Sequence, residues 1–216
     1  METSPIILCE GEDDEEFFNQ LIKNRGLPLF DVRGPRQGDI SGKTGFKSRL
    51  VSLKTETGLE TRSAVIIVRD NDIDPPKEFL DLAEQIRSAG GYGVPEGARR
   101  LTTAQQVPLP PICVLMLPWD DQRGALETLC YKAAAEKRAD IARCVEEYVR
   151  CVQSEEWSPV KLDKLRMRCL LSGACPTEPN THLKWAWKGT RGRPIDLIPL
   201  DHPCFDEIAN FLAGLA

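Results

Sequence analysis

Acidic residues follow two apolar segments of the chain at the points where those segments end. Glu10 comes directly after the apolar run of residues 5–9. Asp70 and Asp72 come shortly after a second apolar run, residues 64–68. Carboxylate oxygens are the ligands that hard cations such as Mg²⁺ prefer, often together with substrate phosphates. The positions of these acids therefore indicate a carboxylate site for a divalent cation that serves a phosphorylated substrate.

The elements that would carry these acids can be predicted from hydrophobic patterning. Continuous apolar runs of this length are typical of strands buried on both faces, and apolar residues three or four apart are typical of amphipathic helices. The predicted strands are residues 5–9, 29–32, 64–68 and 112–117, and the predicted helices between them are residues 12–25, 46–54 and 77–89. Such alternation predicts an α/β fold with a mostly parallel sheet flanked by helices.

This fold would bring the acids together. The carboxyl ends of parallel strands lie along one edge of the sheet, so Glu10 and Asp70 are expected at the same edge. Residues i and i+2 of an extended chain point to the same side, which predicts that Asp70 and Asp72 converge. Asp14, in the first turn of the helix after Glu10, is expected to fold back over that edge. Five converging carboxylates, with Glu127 the fifth, would repel one another without a cation.

The same acids also have two ordinary structural explanations that involve no metal site. Acids in the first turn of a helix complement the helix dipole, which is our interpretation of Glu12, Asp13, Glu15 and Glu16. An Asp-x-Asp sequence after a strand also occurs in ordinary turns. It is the combination of an acid after the first strand with paired acids after the third that favours a site.

The second half of the chain has a different pattern. Residues 90–111 are rich in Gly and Pro and predict a long loop. Beyond residue 120 the pattern becomes mainly helical, with helices expected in residues 124–150, 160–171 and 205–215 and an ambiguous segment at residues 182–187. We therefore expect an α/β core over residues 1–120 and a helix-rich C-terminal portion over residues 121–216, packed together as one compact unit.

Composition narrows the class of protein. The net charge of −5 conceals basic segments, and residues 160–193 carry eight bases and two acids. Acidic clusters beside basic segments suit a carboxylate metal site acting on a polyanion, although an ordinary mosaic surface would give the same totals. The eight cysteines are scattered without a C-x-x-C pair, which argues against a zinc site and for a reduced, cytoplasmic protein. No apolar run approaches the roughly 20 residues that span a bilayer, and the N-terminus does not resemble a signal peptide.

Two segments together resemble the Toprim domain, which topoisomerases, bacterial primases and OLD-type (overcoming lysogenization defect) nucleases share. The segments are residues 7–14, with the sequence Ile-Leu-Cys-Glu-Gly-Glu-Asp-Asp, and residues 65–72, with the sequence Val-Ile-Ile-Val-Arg-Asp-Asn-Asp. Pro118 followed by Gly124-Ala125-Leu126-Glu127 resembles a small stand-alone, OLD-like group of Toprim proteins. The His-Leu-Lys-Trp-Ala-Trp sequence of residues 182–187 and the Gly-Arg-Pro of residues 192–194 point to the same group.

The resemblance implies a Mg²⁺- or Mn²⁺-dependent endonuclease that uses two ions about 4 Å apart to hydrolyse phosphodiester bonds. It implies that Glu10 and Asp14 serve one ion and that Asp70, Asp72 and Glu127 complete the other. The catalytic residues it implies are Glu10, Asp70, Asp72 and Lys184. The residues expected to bind nucleic acid, DNA or RNA, are Lys43, Lys184, Lys188, Arg191 and Arg193.

The resemblance also implies a partner. OLD-like proteins commonly act beside an ATPase of the ABC or AAA type in antiphage defence, and here the ATPase would be a separate chain. Two other functions stay open: a Toprim scaffold that binds the ATPase or nucleic acid without cutting, and phosphoryl or nucleotidyl transfer as in primases.

Overall fold

A single parallel sheet forms the centre of the protein. The computed structural model describes residues 4–36, 42–104, 108–119, 121–152, 156–175, 178–188 and 197–215. The sheet has four strands, which are β1 (Ile6–Leu8), β2 (Asp31–Arg33), β3 (Val65–Asp70) and β4 (Ile112–Leu117). They are ordered β2-β1-β3-β4, and every neighbouring pair is parallel. All four strands therefore end at the same edge of the sheet.

Helices cover both faces of this sheet. Within the described residues the α-helices are α1 (Glu12–Asn24), α2 (Phe46–Leu53), α3 (Pro75–Ala89), α4 (Leu126–Lys137), α5 (Ala139–Cys151), α6 (Pro159–Ala174), α7 (Trp185–Lys188) and α8 (Asp206–Ala213). Short 3₁₀ turns lie at Leu59–Thr61 and Pro203–Phe205. No helix among the described parts of the chain is long and apolar enough to cross a membrane.

Alternate residues of the strands belong to two separate hydrophobic cores, because successive side chains of a strand point to opposite faces of the sheet. Ile7 and Ile66 pack in the larger core with the buried side chains of α1, α4, α5, α6 and α8. Ile6 and Ile67 pack in the smaller core with those of α2 and α3. The larger core includes Leu126 and Leu170 as well as strand residues, so the C-terminal helices and the sheet share one hydrophobic interior.

The predicted α/β class, with its parallel sheet, flanking helices and helix-rich C-terminal part, is confirmed. The boundaries of several elements differ from the predicted ones, and residues 124–150 form two helices, α4 and α5. β2 begins at Asp31, opposite Ile6, because Leu29 lies outside the ladder and is 75% exposed. β3 continues to Asp70, which pairs with Leu117. The ambiguous segment at residues 182–187 forms a short helix, α7, that ends at Lys188.

Candidate metal and nucleic-acid site

A cavity of about 530 Å³ lies at the carboxyl edge of the sheet. Four of the five acids that the sequence singled out line it, namely Glu10, Asp14, Asp70 and Glu127. Lys164 and Lys184 also line the cavity. The tertiary structure therefore gathers carboxylates from β1, β3 and two helices around one space, with two ammonium groups beside them.

Local backbone structure fixes two of these carboxylates. Asp14 lies in the first turn of α1, and its Oδ2 accepts a hydrogen bond from the Gly11 N–H at 2.8 Å. Asp70 is the last residue of β3, and its Oδ1 accepts a hydrogen bond from the Leu126 N–H at 3.0 Å. Both donors are N–H groups at the start of a helix, which have no intrahelical acceptor and favour negative charge. The sequence thus supplies each carboxylate with a fixed anchor.

The ionised forms of the cavity acids are disfavoured, so their pKa values are raised. Burial raises the pKa of Glu10, Asp70 and Glu127, and it raises the pKa of Asp14 to about 7. Repulsion among the carboxylates adds to this, because Asp14, Glu127 and Glu10 each raise the pKa of Asp70. The Lys164 ammonium opposes the rise at Glu10, Asp70 and Glu127. Acids with strongly perturbed pKa values in a cleft are a feature of functional sites.

Asp72 departs from the expectation for an extended chain. Its φ is +48°, in the left-handed region, so residue 72 is not part of an extended chain and the i, i+2 argument does not apply to it. Asp72 does not line the cavity, and its carboxylate forms an ion pair with the Lys43 ammonium. Its charge still raises the pKa of Glu10, which shows that the two carboxylates are neighbours.

Lys43 belongs to an ionic network whose other members include the buried residues Arg69 and Glu78. Its Nζ lies 2.9 Å from Glu78 Oε1, and Glu78 also pairs with the buried guanidinium of Arg69. The Lys43 carbonyl accepts hydrogen bonds from Arg69 Nη1 at 3.2 Å and from Gln85 Nε2 at 2.7 Å. Lys43, expected to bind nucleic acid, is therefore held by its backbone and by the ion pairs of its side chain with Asp72, after β3, and Glu78 of α3.

The lysines expected near the substrate pair with acids of α1. The Lys184 ammonium forms an ion pair with Glu12, and the backbone N–H of Lys184 donates a hydrogen bond to Asp13 Oδ1 at 2.8 Å. Lys188 Nζ lies 2.9 Å from Glu16 Oε2. These acids, which we interpreted from the sequence as complements to the helix dipole, also neutralise lysines. Arg191 and Arg193 lie outside the described residues.

Lys164 of α6 is the site residue that the sequence did not single out. Its Nζ lies 3.9 Å from Asp70 Oδ2 and 4.0 Å from Glu127 Oε1. The basic composition of residues 160–193 pointed to this region, but composition cannot say which lysine of a helix faces the acidic edge. The packing of α6 against α4 brings Lys164 there.

The chemistry of the cavity residues fits a hard divalent cation. The donors are carboxylate oxygens, and Glu10 Oε2 is buried with no hydrogen-bond partner among the described residues. Over the same residues, no three His, Cys, Asp or Glu side chains already form a group that could hold a metal ion.

These features define a class: an α/β protein with an acidic cavity at the carboxyl edge of a four-stranded parallel sheet. The chain belongs to the family described as "Protein of unknown function (DUF3226)", which it matches over residues 4–216. No curated protein and no solved structure matches it. The family match crosses residue 120, so it includes both the sheet and the C-terminal helices that complete the cavity.

Proposed function

We propose that this protein is a metal-dependent endonuclease that hydrolyses phosphodiester bonds of DNA or RNA. The observation that carries the proposal is the set of four carboxyl groups with raised pKa values around one cavity. Such crowding costs folding free energy, and a bound divalent cation would offset it. The Toprim resemblance of the same residues supplies the reaction class.

Glu10 and Asp14 would hold one ion, and Asp70 and Glu127 would hold the other, with Asp72 completing the set. Mg²⁺ or Mn²⁺ bound there would supply an activated water and stabilise the leaving oxygen of the phosphodiester. In this scheme the Leu126 N–H holds one oxygen of Asp70, so that the other stays on the Lys164 side of the cavity.

Basic residues would hold the nucleic acid. Lys184 lines the cavity, and its partner Glu12 is an exposed side chain, so the Lys184 ammonium can exchange that carboxylate for a phosphate oxygen of the substrate. Lys43 and Lys188 would make the same exchange from Glu78 and Glu16, at a greater cost because both of these acids are buried. Phosphate contacts of this kind supply most non-specific affinity for nucleic acid.

The OLD-like resemblance suggests a cellular role for this nuclease. The protein would act in the cytoplasm as the nuclease of an antiphage defence system, beside a separate ABC- or AAA-type ATPase that licenses cleavage. Such licensing would restrain the isolated protein, so the partner belongs in the activity assay.

A second candidate is a Toprim scaffold that binds the ATPase or nucleic acid without cutting. One observation favours it: within the described residues the acids do not already form a metal-binding group. A scaffold would keep its partner affinity after the cavity acids are neutralised, whereas a nuclease would lose activity.

The test compares wild type with Asp70→Asn on single- and double-stranded DNA and RNA, with Mg²⁺, Mn²⁺ or EDTA. Asparagine keeps a carbonyl acceptor for the Leu126 N–H and removes the charge. The matched control is Asp81→Asn, an exposed aspartate of α3 that pairs with Lys77.

We expect metal-dependent cleavage by wild type and by the control, and a loss of about a hundredfold or more in Asp70→Asn. The rise in melting temperature on adding Mn²⁺ should shrink in the same variant. Wild-type cleavage rates in Asp70→Asn would contradict the proposal. Nucleic-acid binding without metal binding or cleavage, with the ATPase present, would establish the scaffold instead.

A further inference from the structure

Lys164 contacts two of the proposed metal ligands from a separate helix. Its Nζ lies 3.9 Å from Asp70 Oδ2 and 4.0 Å from Glu127 Oε1. Both separations exceed hydrogen-bond length, so the ammonium attracts the carboxylates without being fixed to either. The Lys164 ammonium therefore lies beside two carboxylates that a positive charge stabilises, and its contacts with them can be broken.

The backbone of Lys164 is held in place, whereas its ammonium group is not fixed to either carboxylate. Asp163, the preceding residue, accepts a hydrogen bond from Thr128 Oγ1 at 2.7 Å, which ties α6 to the first turn of α4. The Lys164 side chain is 45% exposed, lines the cavity and has a flexible four-carbon stem. By contrast, Lys43 Nζ is hydrogen-bonded to Glu78 Oε1 at 2.9 Å and is one atom of a larger network.

We propose that Lys164 is a tethered counter-ion of the acidic cavity, which neutralises Asp70 and Glu127 in the metal-free protein and is displaced when a divalent cation binds. This inference rests on the proposed metal site and adds its regulation. The ammonium keeps its proton throughout, and one cation replaces another at the same carboxylates. Lys164 thereby weakens the binding of metal and sets the concentration at which the site fills.

The first experiment measures Mn²⁺ binding to the full chain by isothermal titration calorimetry. It compares wild type with Lys164→Gln, which removes the charge, and with Lys164→Arg, which keeps it. Lys161→Gln is the matched control, since Lys161 is exposed and lies on the same helix.

Lys164→Gln should bind Mn²⁺ about tenfold more tightly or better, because a unit charge roughly 4 Å from a partly buried site acts strongly on a second cation. Lys164→Arg and Lys161→Gln should stay near the wild-type affinity. Equal or weaker binding by Lys164→Gln, with clear binding by wild type, would overturn the counter-ion role and leave the metal site standing. No binding by wild type and by Lys164→Gln would remove the proposed metal site itself.

The second experiment needs no variant. Amine acetylation of wild type, read by mass spectrometry, should speed up at Lys164 when Mn²⁺ is added. Acetylation consumes the neutral amine, and a lysine that has left its carboxylates and lies beside a dication loses its proton more readily. Lys161 serves as the internal control and should be unaffected. A Lys164 acetylation rate that Mn²⁺ leaves unchanged, under conditions where calorimetry shows binding, would refute the exchange.

Discussion

The substitution Asp14→Asn measures what the crowded carboxylates cost the fold. Asp14 Oδ2 accepts a hydrogen bond from the Gly11 N–H, and the amide oxygen of asparagine can accept the same bond. The substitution removes a negative charge that burial and the neighbours Glu10 and Glu127 oppose. The variant should therefore be more stable than wild type wherever the Asp14 carboxyl would be ionised.

The size and the pH dependence of this stability gain follow from the pKa of Asp14, which rises from 3.8 to about 7 on folding. Between these values the folded protein holds a proton that the unfolded chain has released, so the free energy of unfolding falls as the pH rises. Each pKa unit corresponds to 1.36 kcal/mol, which puts the loss at about 4 kcal/mol above pH 7. Because the cavity acids share their protons, this value applies to the group as well as to Asp14.

The assay is urea unfolding in EDTA from pH 5 to pH 8.5. The stability gain of Asp14→Asn over wild type should be about 1.5 kcal/mol at pH 5 and should grow to about 4 kcal/mol at pH 8.5. Asp81→Asn, which removes an exposed aspartate paired with Lys77, should show no such growing gain. A gain that is independent of pH, or a variant less stable than wild type at pH 8, would refute the argument that the cavity charges repel one another.

Three further outcomes are expected. Affinity for nucleic acid should fall steeply between low and physiological salt, because phosphate contacts release counterions, and a salt-independent affinity would remove the role of the basic residues. Arg69→Met should destabilise the protein by about 3–5 kcal/mol in urea unfolding, because it leaves the Glu78 carboxylate buried with one cationic partner fewer, and an unchanged midpoint would show that the pair is not needed. A thiol reagent should label Cys144 and Cys151 rapidly in the native protein and Cys9 only on unfolding, which mass spectrometry of the labelled peptides can check.

Local sequence determined the elements of this fold and two of its anchors. The apolar runs became β1, β3 and β4 because strands buried on both faces need continuous hydrophobic residues. Glu10 and Asp70 could be assigned to one edge because parallel strands end together. Asp14 followed because the first turn of α1 must lie beside the strand that leads into it. Each of these inferences uses residues close in sequence and a regular backbone.

The partners of the charged residues depended on contacts between distant parts of the chain. The backbone of Asp72 turns into the left-handed region, and its carboxylate pairs with Lys43, 29 positions earlier, which the sequence pattern did not predict. Lys184 and Glu12 are separated by 172 positions and pair because α7 packs on α1. Hydrophobic periodicity reports which face of a helix is buried, but not where along the sheet that helix docks.

The sequence by itself therefore determined the α/β class, the edge at which the acids lie and the type of ligand they offer. Tertiary structure alone decided which positive charges meet those acids, and Lys164 is the clearest case. Its position depends on how α6 packs on α4, which Thr128 and Asp163 help to set through one hydrogen bond. Buried residues recur with a period of two in strands and of three to four in helices, so the sequence records them locally. An ion pair across a cavity depends on many packing contacts between distant residues, which no local pattern records.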